Sequence, residues 1–168
     1  MKEIPIFSII GWSDTGKTTL IGDLIELYAG RGLKTAALKK THKAVELDHE
    51  GSDSKTYRDK GAFGTCLASP EGGVFFLPDF SWSPETLRRV FHGADVIICE
   101  GLKLDGYPVI QTCGKAERMD ELKGSPTEWS ILITDSVKLK MSIPDHLKKS
   151  NIHILSYRDI HRIPDLIS

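Results

Sequence analysis

Short apolar runs alternate with polar or amphipathic stretches along the whole chain. Residues 4–11, 34–39, 64–68, 74–77, 96–99, 109–112, 131–134 and 152–155 are rich in β-branched and other apolar side chains, and each reads as a strand. Between the first two, Leu20, Leu24, Leu27 and Tyr28 recur at three- and four-residue steps. That period predicts an amphipathic helix over 17–31, with Gly30 and Gly32 supplying the stop. Strand, glycine loop, helix and strand in succession make a βαβ unit, whose strands lie parallel. The pattern therefore predicts an α/β fold, a mostly parallel sheet flanked by helices. Asp53 followed by Ser54 caps a short helix through Lys60 that Gly61 ends, and Ser83-Pro84-Glu85 opens another that Gly93 closes. Residues 62–80 read as a β-hairpin turning at Pro70-Glu71-Gly72-Gly73, inserted into the parallel sheet or added to it. Alternation of strand faces then buries only one of the neighbours Phe75 and Phe76 within a protomer, and a second protomer can cover the other. Residues 105–108 and 114–126 read as surface loops.

Composition narrows this picture. With 168 residues, 40% of them apolar, the chain has room for one full hydrophobic core, so 1–168 is expected to form a single domain. A net charge of −1 supplies no basic field for nucleic acid or anionic lipid, which excludes both as expected partners. The apolar run at 4–10 is broken by Pro5 and Ser8 and is too short to cross a bilayer, and the first residues do not read as a signal peptide. A cytoplasmic protein is expected. Cys66, Cys99 and Cys113 are odd in number and contain no C-x-x-C pair, so they read as small buried or half-buried residues rather than as a disulfide or zinc framework.

The strongest chemical signal is GWSDTGKT at 11–18, which matches G-x-x-x-x-G-K-S/T with a strand before it and a helix after it. Gly11 and Gly16 let the backbone curl so that the N–H groups of Ser13, Asp14, Thr15 and their neighbours point at one anion, and the helix adds its own free N–H groups and positive end. Lys17 then reaches the outer phosphates, the Thr18 hydroxyl can ligate Mg²⁺, and Thr19 continues the first turn. The fold expectation becomes a P-loop NTPase-like domain. Asp14 is out of keeping with phosphate, because a carboxylate in the cradle repels it unless it faces solvent.

A magnesium carboxylate belongs at the end of a neighbouring buried strand, and DVIICEG at 95–101 supplies Glu100. An acid that merely ends a strand is the plainer alternative. A second polar constellation follows the second strand, where His42, Asp48, Asp53 and Arg58 share a stretch of low apolar content. These residues can add metal ligands, position water or hold a second substrate, with Arg58 pairing an anion; a solvated loop has the same composition. His42 and His49 lack the neighbouring thiol or third histidine of a zinc site.

The segments GWSDTGKTTL at 11–20, Lys39-Lys40-Thr41-His42, then Asp48, Gly51, Asp53-Ser54, Arg58 and Gly61-Ala62, then Glu100-Gly101-Leu102-Lys103, follow one another in an order that resembles the MobB family of molybdopterin-guanine dinucleotide biosynthesis adaptor proteins. The similarity runs to about Lys103, with a weaker echo at Thr134-Asp135. The resemblance implies a GTP-binding homodimer with weak GTP hydrolysis that assists the guanylyltransferase MobA. It also brings molybdopterin into view as a ligand. By that analogy residues 11–19 hold the phosphates, Lys17 and Glu100 serve the reacting end, and Thr18 and Glu100 hold Mg²⁺ or its water.

Guanine preference rests on the resemblance, since no Asn-Lys-x-Asp segment is present. Asp135 is the best local candidate, because one carboxylate can accept from both the ring N1–H and the exocyclic amine of guanine, a donor pair adenine lacks. A plain turn or cap role after the strand is its alternative. No arginine-rich lid lies between the late strands, which predicts slow turnover. A function of another class stays open at this stage: a small-molecule kinase using ATP or GTP, with His42, Asp48, Asp53 and Arg58 around the acceptor.

Overall fold

The computed structural model describes residues 3–43, 49–77 and 80–167. The chain divides into two compact units, one of Met1–Lys40 with Ser83–Ser168 and one of Thr41–Trp82.

The first unit is built on a six-stranded sheet. Its strands are β1 (Ile6–Ile10), β2 (Thr35–Lys39), β5 (Val96–Glu100), β6 (Val109–Thr112), β7 (Ile131–Ile133) and β8 (His153–Leu155). All neighbours pair parallel, in the order β2-β5-β1-β6-β7-β8. Parallel strands buried on both faces need near-continuous apolar sequence, and β1 and β7 are buried at every position. The helix α1 (Lys17–Gly30) lies where its period predicted, with Leu20, Ile21, Leu24 and Tyr28 buried. These side chains pack with Phe7, Ile9, Ile98, Ile110, Ile131 and Ile133 on one sheet face. On the other face Ile6, Ile97 and Cys99 meet Leu87 of α3 (Pro84–Val90), while Ile10, Val109 and Leu132 meet Leu139 of α4 (Val137–Ser142) and Leu147 of α5 (Asp145–Lys148). A final turn, α6 (Ile163–Leu166), returns Ile163 to the α1 face. Among the described residues, no helix is long and apolar enough to cross a membrane.

The second unit holds α2 (Asp53–Asp59) and the antiparallel pair β3 (Thr65–Ser69) and β4 (Gly72–Phe76). The hairpin is present as an added element, and among the described residues it forms a two-stranded sheet of its own rather than part of the parallel one. Gly72 and Gly73 belong to β4, so the turn is shorter than the four residues predicted. The expectation that one of the two phenylalanines would be buried also fails: Phe75 is 67% and Phe76 40% exposed, the latter carrying only the Arg58 guanidinium of α2 over its ring. Ser52, one residue earlier than predicted, caps α2 by accepting from Lys55 N at 3.2 Å. Cys66 is exposed, against expectation, whereas Cys99 and Cys113 are buried.

Candidate functional site

In an open parallel sheet the ligand crevice lies beyond the C-terminal strand ends, where successive connections leave in opposite directions. Here that point is β1, which has β5 on one side and β6 on the other, and the loop at 11–16 leaves from its end.

The loop is held from three directions. Thr15 Oγ1 donates to Trp12 O at 2.8 Å and lies 2.8 Å from Thr112 Oγ1, which in turn donates to Ile10 O at 3.1 Å. Tyr157, arriving after β8, donates its hydroxyl to Gly16 O at 2.9 Å. The Trp12 indole donates to Glu121 O at 2.9 Å, and Lys123 Nζ lies 5.7 Å from its ring centroid. Both motif glycines are required by this packing. A Cβ at Gly11 would strike Thr112 Oγ1 and Thr15 Oγ1, and one at Gly16, where φ is +85°, would strike the Tyr157 hydroxyl. Gly16 is also the N-cap of α1 and brings no capping side chain. Leu20 N donates to Gly16 O at 2.9 Å, and the N–H groups before it form the open first turn that an anion can satisfy.

Lys17 Nζ donates to Trp12 O at 2.6 Å across the mouth of the loop. Ser13, Asp14, Thr18 and Thr19 are exposed. Asp14 has φ of +59°, the one non-glycine left-handed residue among those described. Aspartate tolerates that conformation better than most residues, which accounts for it at a turn position and leaves its carboxylate facing solvent.

Glu100 ends β5. In register it pairs with Ile9 of β1 and Lys39 of β2, and it lies two residues from Ile98, which packs against α1. Its side chain is therefore on the face from which α1 rises, the face of Lys17 and Thr18. The carboxylate pairs with Lys39 Nζ at 3.2 Å. Lys103, just beyond this strand end, pairs with Glu128 at 2.5 Å.

Asp135 follows the buried Thr134 at the end of β7 and is exposed. The cap of α4 is supplied by Ser136, which accepts from Leu139 N at 3.2 Å, so Asp135 is not the capping residue. Burial pushes the Tyr157 phenol above its ordinary value, and the nearby carboxylates of Asp23 and Asp135 push it the same way. The Tyr157 proton, and its bond to the loop, persist below the ordinary phenol value and are lost only as pH rises through the raised one. Burial likewise pushes the Cys113 thiol up to about 12, which keeps it a neutral packing group.

His42, Asp53 and Arg58 belong to the second unit, and Asp48 lies outside the described residues. Asp53 opens α2 and lines an open pocket of about 640 Å³ with His49, Tyr57 and Cys66. Arg58 donates to Thr65 Oγ1 at 3.2 Å and stacks 4.4 Å from the Phe76 centroid, tying α2 to the hairpin. Among the described residues no group of three or more His, Cys, Asp and Glu side chains is placed to hold a metal.

Sequence reasoning missed Thr112 and Tyr157. Thr112 carried a usable signal, since Gln111-Thr112 is a polar pair in an apolar strand and both are fully buried. Tyr157, distant in sequence and in an irregular segment, carried none.

Comparison with known proteins agrees with this geometry. The family model described as molybdopterin guanine dinucleotide synthesis protein B matches residues 6–135. A molybdopterin-guanine dinucleotide biosynthesis adapter protein of Escherichia coli is 40% identical over 98% of this chain and 91% of its own. The Haemophilus influenzae protein of the same name is 30% identical over 65% of this chain and 63% of its own. The crystal structure of Bacillus subtilis MobB superposes with a TM-score of 0.68 at 21% identity, covering 98% of both chains, and so shares the fold. The chain belongs to the MobB family.

Proposed function

We propose that this protein is a GTP-binding adapter of molybdopterin guanine dinucleotide biosynthesis, which holds GTP with Mg²⁺ in the loop at 11–19 and assists the MobA guanylyltransferase. The observation that carries the nucleotide reading is the braced glycine cradle at the end of β1, with Glu100 on the α1 face of the adjacent strand. The residues suit the group: open backbone donors and Lys17 for the phosphates, and the Thr18 hydroxyl and Glu100 carboxylate for the cation. Bound Mg²⁺ supplies charge neutralisation across the outer phosphates. The adapter role follows the name carried by the Escherichia coli relative, at 40% identity, and MobA as the partner follows the family resemblance of the sequence. Hydrolysis is weak in this reading, since no arginine-rich lid lies between the late strands and an arginine supplied to such a site is worth ~10³-fold or more. The kinase alternative has less support, because Arg58, its anion ligand, is engaged with Thr65 and Phe76.

Nucleotide choice tests the reading. Titration calorimetry with Mg²⁺ should give GTP binding at least about tenfold tighter than ATP, a difference of about 1.4 kcal/mol. Asp135→Asn should erase most of that preference, because an amide cannot accept from two donors of the base as the carboxylate does. Equal or tighter ATP binding by the native protein would break the link to guanine and bring the kinase reading forward.

The homodimer is part of the same proposal. Phe63, Leu67, Val74, Phe75 and Phe76 are all exposed in or beside the hairpin, large apolar side chains that a second copy can cover. Light scattering after gel filtration should give twice the 18.7 kDa chain mass, and Phe75→Glu should return the protein to one chain. A native monomer at micromolar concentration would end this part of the proposal.

A further inference from the structure

Glu100 and Lys39 form an unequal ion pair. The Glu100 side chain is 12% exposed and the Lys39 side chain 65%, at a separation of 3.2 Å. A mostly buried carboxylate is costly without a counter-charge, whereas an exposed lysine gives up its partner at little cost. Register fixes the arrangement: Lys39 and Glu100 are direct partners on β2 and β5, Lys40 N donates to Glu100 O at 2.9 Å, and Gly101 N donates to Ile9 O at 3.1 Å. The two strand ends are thereby tied into the sheet while the lysine side chain remains in solvent.

We propose that Lys39 is a stand-in cation for Glu100. Its ammonium neutralises the carboxylate while the divalent ion is absent and yields the position when the ion arrives. The inference rests on the reading of residues 11–19 and Glu100 as a nucleotide and Mg²⁺ site. Its consequence is a buffered site: with Lys39 in place, phosphates approaching without Mg²⁺ meet a paired carboxylate rather than a bare negative charge. The divalent ion, in turn, must displace an ammonium. Lys39 thus lowers the dependence of nucleotide binding on Mg²⁺ and acts as a positioning residue through Glu100.

The experiment is calorimetric titration of GTP into the full-length protein, once in EDTA and once in saturating Mg²⁺, for the native chain and for Lys39→Met, Lys39→Arg and Glu100→Gln. In Lys39→Met the EDTA affinity should fall about tenfold while the Mg²⁺ affinity holds or improves, so that the ratio of the two widens by about tenfold. Lys39→Arg should keep the native ratio. In the Glu100→Gln background Lys39→Met should have no further effect, because the two changes act through one contact. An unchanged ratio in Lys39→Met overturns the proposal. So does an equal loss in both conditions, which would make Lys39 a phosphate ligand or a purely structural residue. Should Lys39→Met fold poorly, Lys39→Gln with Mn²⁺ binding followed by electron paramagnetic resonance gives the same decision. If native GTP binding responds neither to Mg²⁺ nor to Lys17→Ala, the nucleotide reading itself fails and takes this inference with it. A native response to both, with no effect of residue 39, sinks the inference alone.

Discussion

Lys17→Ala is expected to cost the protein its nucleotide: GTP affinity in Mg²⁺ falls about 100-fold, roughly 2.8 kcal/mol. Lys17 leaves the first turn of α1 and folds back over the loop to Trp12 O at 2.6 Å, so its ammonium sits at the mouth of the cradle before any anion is present. Nothing else in the 11–19 loop is positively charged, and Asp14 in the same loop is negative. Without Lys17 the loop keeps only its backbone donors and the bound cation to offset the phosphate charge. The bond to Trp12 is exposed, so stability should change little, with a melting midpoint within ~2 °C of native. Calorimetry and a thermal melt on the same preparation separate the two effects. Retention of GTP affinity within threefold of native would remove the loop as the phosphate site.

The elements of the parallel sheet were legible because each carries its own local evidence. The α1 period, the apolar runs of β1, β5, β6 and β7, and the Ser83-Pro84 helix start all lie within a residue or two of their predicted places. The loop at 11–18 was legible for the same reason, since its geometry follows from glycines at fixed spacing and a strand-to-helix context. Long-range pairings were not. No local rule orders β5 between β1 and β2, and that order alone makes Glu100 and Lys39 neighbours. The hairpin was visible as a hairpin, but whether it joined the sheet depended on strands twenty or more residues away. Helices α4 to α6 are four to six residues long, too short for a period to show. They exist because Leu139, Leu147 and Ile163 are buried against the sheet, a tertiary cause that one-dimensional patterning does not contain.

Gly16→Ala should weaken GTP binding about 30-fold or more and destabilise the fold by about 2 kcal/mol, by two routes that further variants can separate. The first is conformational: at φ of +85° any side chain in the left-handed region costs roughly 1–2 kcal/mol. The second is steric, since the new Cβ runs into the Tyr157 hydroxyl, which is itself the brace on Gly16 O. Tyr157→Phe alone removes one hydrogen bond to the loop, which should cost about 1 kcal/mol of stability and a few-fold in affinity. If the collision matters, the double variant should be less damaged than the sum of the singles, because deleting the hydroxyl makes room for the methyl group. What remains in the double variant is the backbone cost together with the lost Tyr157 hydrogen bond. Stability from urea melts and affinity from calorimetry should show the same non-additivity, since both depend on one loop geometry. Strict additivity would mean that the collision with the hydroxyl contributes nothing and that the conformational cost at residue 16 acts alone.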